Sequence, residues 1–276
     1  MTAASRSRAA RVAALALLML PACAERSIVL PTGAGEPITT GAAIAADAFG
    51  HCQQLSTLTA EIRLSGHAGR QKLRGRLIAG FSKPASIRLE AVAPFGPPVF
   101  ILAATAADST LVLPRDARVL RQAAPADILE ALAGIAVSPG DLLPLLAGCV
   151  PSDRLPDEGR AHGPDWVSLS SGGWTSYLQR RGAGWQLVSI TGPKVVAEYS
   201  AFTGDRAGVL RLHESTTSAG KAQVDLSLAL SQVELNAPVP PAAFEVSVPA
   251  DASPISLEEL RQSGPMRDQP SRGAAQ

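Results

Sequence analysis

The 276-residue chain carries 25 Lys+Arg against 24 Asp+Glu and is 46% hydrophobic but only 4% aromatic. A formal net charge of +1, with no basic patch standing out, gives no electrostatic footprint for nucleic acid and excludes it as a partner. Beyond the first twenty-odd residues no segment approaches the ~20 apolar residues needed to cross a bilayer as a helix.

The chain opens on a secretory signal. Arg6, Arg8 and Arg11 precede the apolar run Val12–Leu20, and Leu20-Pro21-Ala22-Cys23 follows. Basic, then apolar, then small is the order of a cleavable signal, and the run is too short to remain as a span. The ending resembles the lipobox of bacterial lipoproteins. That resemblance implies cleavage after Ala22, acylation of Cys23 and an N-terminal lipid anchor; the alternative is an ordinary signal with a chance cysteine. Without residues 1–22 the chain holds 22 Lys+Arg against 24 Asp+Glu, a net of −2. Lipidation of Cys23 leaves Cys52 and Cys149 as an even pair in an oxidising compartment, which points to a disulfide over two buried free thiols.

Residues 23–43 are rich in Pro, Gly, Thr and Ala and read as a flexible tether from the lipidated cysteine. Period-2 segments follow. Leu58, Ala60, Ile62 and Leu64 alternate with polar residues, then Leu73, Gly75, Leu77, Ala79 and Phe81, then Ile87, Leu89, Ala91 and Ala93. Each predicts a strand with one apolar and one wet face, as in an antiparallel sheet. Val99–Ala103, Leu111–Leu113 and Arg118–Leu120 add shorter strands. Between the third and fourth stands Ala93-Pro94-Phe95-Gly96-Pro97-Pro98, a rigid loop whose phenylalanine is either tucked onto the sheet or held outward.

The alternation then breaks. Ile128, Leu129, Leu132 and Ile135 have helical spacing ended at Gly134, and Pro139 opens a second short helix with Leu142, Leu143, Leu145 and Leu146. Pro144 inside it predicts a single loose turn or a kink. Strands resume around Trp166–Ser170, Trp174–Gln179, Trp185–Ile190, Val195–Phe202, Val209–His213 and Ala222–Val233, with a last segment at Phe244–Val248 and a capped turn at Ser256–Arg261. The prediction is a mostly β domain over 44–262 of ten to twelve strands with a helical insertion, then a frayed tail over 263–276.

Catalytic chemistry is not indicated. His51, His67, His162 and His213 lie far apart with no partner at metal-ligand spacing, so neither a metal site nor a cofactor is predicted. No nucleophile elbow, phosphate loop or dinucleotide fingerprint occurs. The expectation is a protein that is not an enzyme.

Three stretches together resemble the LolA/LolB-like superfamily of lipoprotein carriers and receptors. Arg88–Gly96 resembles the strand ending in a Pro-Leu-Gly turn, Leu129–Gly148 the pair of plug helices, and Asn236–Phe244 the closing strand. The resemblance implies a strongly curved, antiparallel half-barrel of about eleven strands with short helices on its concave side. Ile128, Leu129, Leu132, Leu142, Leu143 and Leu146 would then form the plug or line a cavity for acyl chains; a plug that simply fills the interior is the alternative. It also implies that Pro94, Phe95 and Gly96 form a membrane-contact loop, that lipoprotein acyl chains and a periplasmic carrier are partners, and that the protein is a monomer on the periplasmic face of the outer membrane. An envelope scaffold using the same fold is the second reading.

Overall fold

The computed structural model describes residues 28–106, 108–152, 156, 158–215 and 223–265; Cys23 and the signal lie outside them, as does the tail from residue 266. Every described strand and helix belongs to the compact unit that begins at Pro31. Among the described residues fifteen strands build one sheet: β1 (Glu36–Pro37), β2 (Thr57–Ala68), β3 (Gln71–Ser82), β4 (Ser86–Val92), β5 (Ile101–Ala104), β6 (Ser109–Leu113), β7 (Arg118–Arg121), β8 (Glu158–Ala161), β9 (Trp166–Ser171), β10 (Trp174–Arg181), β11 (Gly184–Thr191), β12 (Val195–Thr203), β13 (Arg206–Glu214), β14 (Val224–Leu235) and β15 (Ser253–Pro254).

The sheet is two meanders joined in the middle. Strands β8 to β14 pair in chain order, β14 pairs with β2, and β2 to β7 again follow chain order. All pairs are antiparallel except β15 on β7. The sheet is open: β1 caps one edge and β15 the other. The alternation read from the sequence sets the inner face, where Leu58, Ala60, Ile62, Leu64, Leu77, Ala79, Phe81, Ile87 and Leu89 are all buried. Near its end β2 needs a glycine. Gly66 has φ +143°, and a Cβ there would stand 2.1 Å from the carbonyl oxygen of Asp225 on β14.

This topology explains the helices. The chain leaves the sheet at β7, beside one edge, and re-enters at β8, beside the other, so the connection must cross the whole sheet. It crosses as α2 (Pro125–Ala133) and α3 (Pro139–Leu146), whose leucines bury against the inner face. An apolar sheet face of this extent requires a cover. Gly134 ends α2 in the left-handed conformation at φ +80°, and a Cβ there would meet the Ala68 side chain at 2.7 Å. Ser138 caps α3 by accepting from the Asp141 N–H, and Pro144 is accommodated in the last turn of a regular eight-residue helix rather than reducing it to one loose turn.

Four expectations are corrected. The stretch assigned to the tether is ordered from Glu36, because β1 pairs with β8 and α1 (Gly41–Phe49) docks Ala45, with Ile38, Ile44 and Phe49 around it, against Val167, Leu169 and Leu178. Its alanines look like coil in composition but form a helix once one face is buried. The folded domain therefore starts before residue 44. The strand expected at Phe244–Val248 does not form: a 3-10 turn (Pro241–Phe244) buries Phe244 beside β4, and residues 245–248 join no ladder. Pro238, Pro240 and Pro241 lack the N–H donors a ladder needs, and Asn236–Phe244 does not close the sheet. That place is taken by β15, after which α4 (Leu257–Ser263) packs on α2 behind a capping box between Ser256 and Glu259.

Candidate functional site

The residues assigned to the plug lie together in the main core. Ile128 is 0% and Leu143 2% exposed; Leu129, Leu132 and Leu146 are buried with them in the main core, and Leu142 packs half-buried at its margin. Their side chains share one core with the inner-face residues of β2–β7 and of β11–β14. Tyr199 of β12 fixes α3 from the other side, its buried hydroxyl donating to the Leu145 carbonyl at 2.9 Å. Burial pushes that phenol far above its ordinary pKa, so it remains a donor.

Open space lies beside the plug. A cleft of about 750 Å³ runs between α1 and α3, with Phe49, Leu55, Pro144 and Leu169 on its apolar walls and Lys83, Asp141, Ser171 and Ser176 as polar points. A second cavity of about 290 Å³ is bounded by His51, Leu146, Trp185, Tyr199 and Leu210. The larger volume falls in the range of small-molecule sites. Between the two stands the disulfide of Cys52 and Cys149, Cα atoms 5.8 Å apart, joining the 3-10 turn after α1 (Gly50–Gln54) to the residues that follow α3. The two helical covers of the inner face are thereby tied together. His51 Nε2 lies 3.4 Å from one sulfur and 3.7 Å from the other. Among the described residues this is the one cluster of metal-type ligands, and it does not fit a metal because both thiols are spent in the bond.

The Pro94–Phe95–Gly96 loop is held outward. Phe95 is 89% exposed, and the loop is braced from β6–β7: Arg115 donates to the Phe95 carbonyl at 2.8 Å and to that of Pro97 at 3.2 Å. The Val99 N–H donates to the Ala91 carbonyl, closing the base of the loop. The aromatic ring is thus presented to solvent on a fixed support.

Two features of the outer face arise from residues far apart in sequence. Glu198 on β12 lies opposite Arg211 on β13, and His213 lies opposite Asp225 on β14. Arg211 bonds Asp225 at 2.6 Å and Glu198 at 3.2 Å, and His213 approaches Glu198 at 3.7 Å. The bond to His213 is the main reason the Glu198 carboxyl titrates below its usual range, and the bond to Arg211 does the same for Asp225. Reciprocally, Glu198 holds the His213 imidazole above its ordinary pKa. The second feature corrects the expectation of no basic patch: Arg63, Lys72, Arg74 and Arg76 share the outer face of β2 and β3, with Arg70 at the hairpin tip.

No protein-family model matches the sequence, and no curated protein matches it. Among solved structures the chain is similar to a LolA superfamily protein from Nitrosomonas europaea, at 10% identity and a TM-score of 0.46 over 76% of this chain and 98% of that one. It is similar also to an outer membrane lipoprotein-sorting protein domain from Vibrio parahaemolyticus, at 10% identity and a TM-score of 0.42 over 74% and 96%. LprF from Mycobacterium bovis is a third, at 12% identity and a TM-score of 0.32 over 79% and 100%. At such identities and scores the likeness carries no assignment of activity.

Proposed function

We propose that this is a lipid-handling lipoprotein of the bacterial envelope, anchored through Cys23, that receives acyl chains of lipidated proteins beside its plug helices and meets the bilayer through Phe95. The observation that carries the reading is the phenylalanine itself. A large apolar ring at 89% exposure, on a loop stiffened by prolines and clamped by Arg115, is positioned to meet an apolar partner. The cleft between α1 and α3 supplies a recess of sufficient size for part of an acyl chain. Outer-membrane residence follows from the bacterial lipoprotein pattern, since Ala24 rather than Asp follows the cysteine.

Transfer of the Phe95 ring into the acyl boundary is worth about 2–3 kcal/mol. Phe95→Glu is therefore expected to leave the thermal melt unchanged while lowering association of chain 24–276 with liposomes by at least tenfold and abolishing lipoprotein delivery. Unchanged binding and delivery would refute the reading, and a lowered melting temperature would show the ring to be structural. A second reading, a scaffold of an envelope assembly, is favoured by one observation: the plug leucines are packed into the core of the sheet's inner face.

A further inference from the structure

The cations of the β2–β3 hairpin are arranged in a way that internal structure does not require. Arg63 on β2 lies directly opposite Arg76 on β3, Ser65 opposite Arg74, and His67 opposite Lys72. Like charges facing across a ladder destabilise it. All of Arg63, Arg70, Lys72, Arg74 and Arg76 are exposed, and among the described residues no ion pair or side-chain hydrogen bond engages them. The acids nearest by register are committed to other groups. Asp225, opposite His67, pairs with Arg211; Glu90, opposite Ile78, pairs with Arg88; Glu61 accepts from Gln232. A row of unneutralised cations therefore stands along about 20 Å of hairpin from Arg70 to Arg76, counted at the strand rise.

The row lies at the same end of the sheet as Phe95. Val92, the last residue of β4, is opposite Arg76, so the 93–98 loop departs level with Arg76 and toward Arg74 and the hairpin tip. The β6–β7 turn that bears Arg115 reaches the same end, since Val112 pairs with Ile101 and Leu113, paired with Arg118, lies one residue beyond it. An apolar anchor flanked by cations that face one another without counter-ions matches an interface with negative headgroups over a hydrocarbon layer. We propose that the outer face of the β2–β3 hairpin docks on anionic phospholipid headgroups and sets the orientation in which Phe95 enters the bilayer. The proposal deepens the reading of Phe95 as a bilayer contact and rests on it.

The test uses chain 24–276, which retains the whole folded unit from Pro31, and vesicles of phosphatidylcholine alone or mixed with phosphatidylglycerol. The native chain is expected to bind the mixed vesicles more tightly, and to lose that advantage when salt rises from about 0.1 M to about 1 M and screening contracts from about 10 Å to about 3 Å. The triple change Arg63→Gln, Arg74→Gln and Arg76→Gln is expected to weaken binding to mixed vesicles about a hundredfold, at about fivefold per charge, and to leave binding to neutral vesicles unchanged. Phe95→Glu is expected to weaken both. Equal binding of the native chain to the two vesicle types, or a triple variant indistinguishable from it, overturns the headgroup surface while leaving Phe95 in place. Salt-sensitive capture of an acidic protein without vesicle discrimination overturns it too. If the triple change acts and Phe95→Glu does not, the headgroup surface stands and the bilayer role of Phe95 falls. The salt response of the unsubstituted chain reads the same surface independently of any variant.

Discussion

Glu198, Arg211, His213 and Asp225 show how much of this molecule's electrostatics is assembled by strand register. The His213 imidazole is held above its ordinary pKa chiefly by its bond to Glu198. Its contribution to stability is fully present below about 6.5, the unfolded value, and is lost as pH rises through the raised folded value. Glu198 and Asp225 are held below their ordinary values, so their contribution is present above the usual carboxylate range and disappears as pH falls through the depressed ones. The network should therefore stabilise most at about pH 5–6.5, above the unfolded carboxylate values and below that of histidine. Thermal melts across pH are expected to show His213→Gln most destabilising near pH 6 and converging on the native protein toward pH 9. A difference constant across that range would mean that His213 stays neutral and contributes through packing alone. The sequence offers no hint of this network: its members are spread over 28 residues and meet only through two antiparallel registers.

At the scale of elements, the long strands were legible and the short ones were not. β2, β3 and β4 alternate buried and exposed residues over 7 to 12 positions, long enough for period 2 to stand out. β1, β8 and β15 have two to four residues and no period to read. The plug helices were visible through leucine spacing and their terminal glycines, whereas α1 was hidden in an alanine-rich stretch that resembles a linker. The cysteine pair was legible from parity and compartment, but not its mechanical role, which depends on α1 being a helix. The bridge closes a 97-residue separation, for which loop-closure entropy gives about 4–5 kcal/mol. Replacing both cysteines by serine is expected to lower the unfolding free energy by up to that amount, and to loosen α1 and α3 first in hydrogen exchange. Unaltered stability and uniform protection would show the two helices to be held by packing alone.

At the scale of the whole molecule, the apolar interior and the exposed loop were foreseeable from alternation and from the Pro-Phe-Gly-Pro-Pro run, while the clefts beside the plug were not. Their walls come from α1, α3 and β9–β10, which together span more than a hundred residues of sequence. The outward course of Phe95 was likewise undecidable from the loop alone; it is settled by Arg115 on the neighbouring hairpin. The proposed membrane anchor rests on Cys23, where acyl chains would contribute about 0.8 kcal/mol per buried methylene. Cys23→Ser is expected to release the protein from the membrane fraction or to leave it unprocessed, and fractionation that finds it processed and still bound would contradict the anchor. The central claim, that acyl chains occupy the recess beside the plug, is tested most directly by native mass spectrometry of chain 24–276 purified from the envelope without detergent. The account predicts a lipid or fatty-acyl adduct released by mild activation; a clean apo mass, unchanged after incubation with lipidated protein, would contradict it and leave the fold as a scaffold.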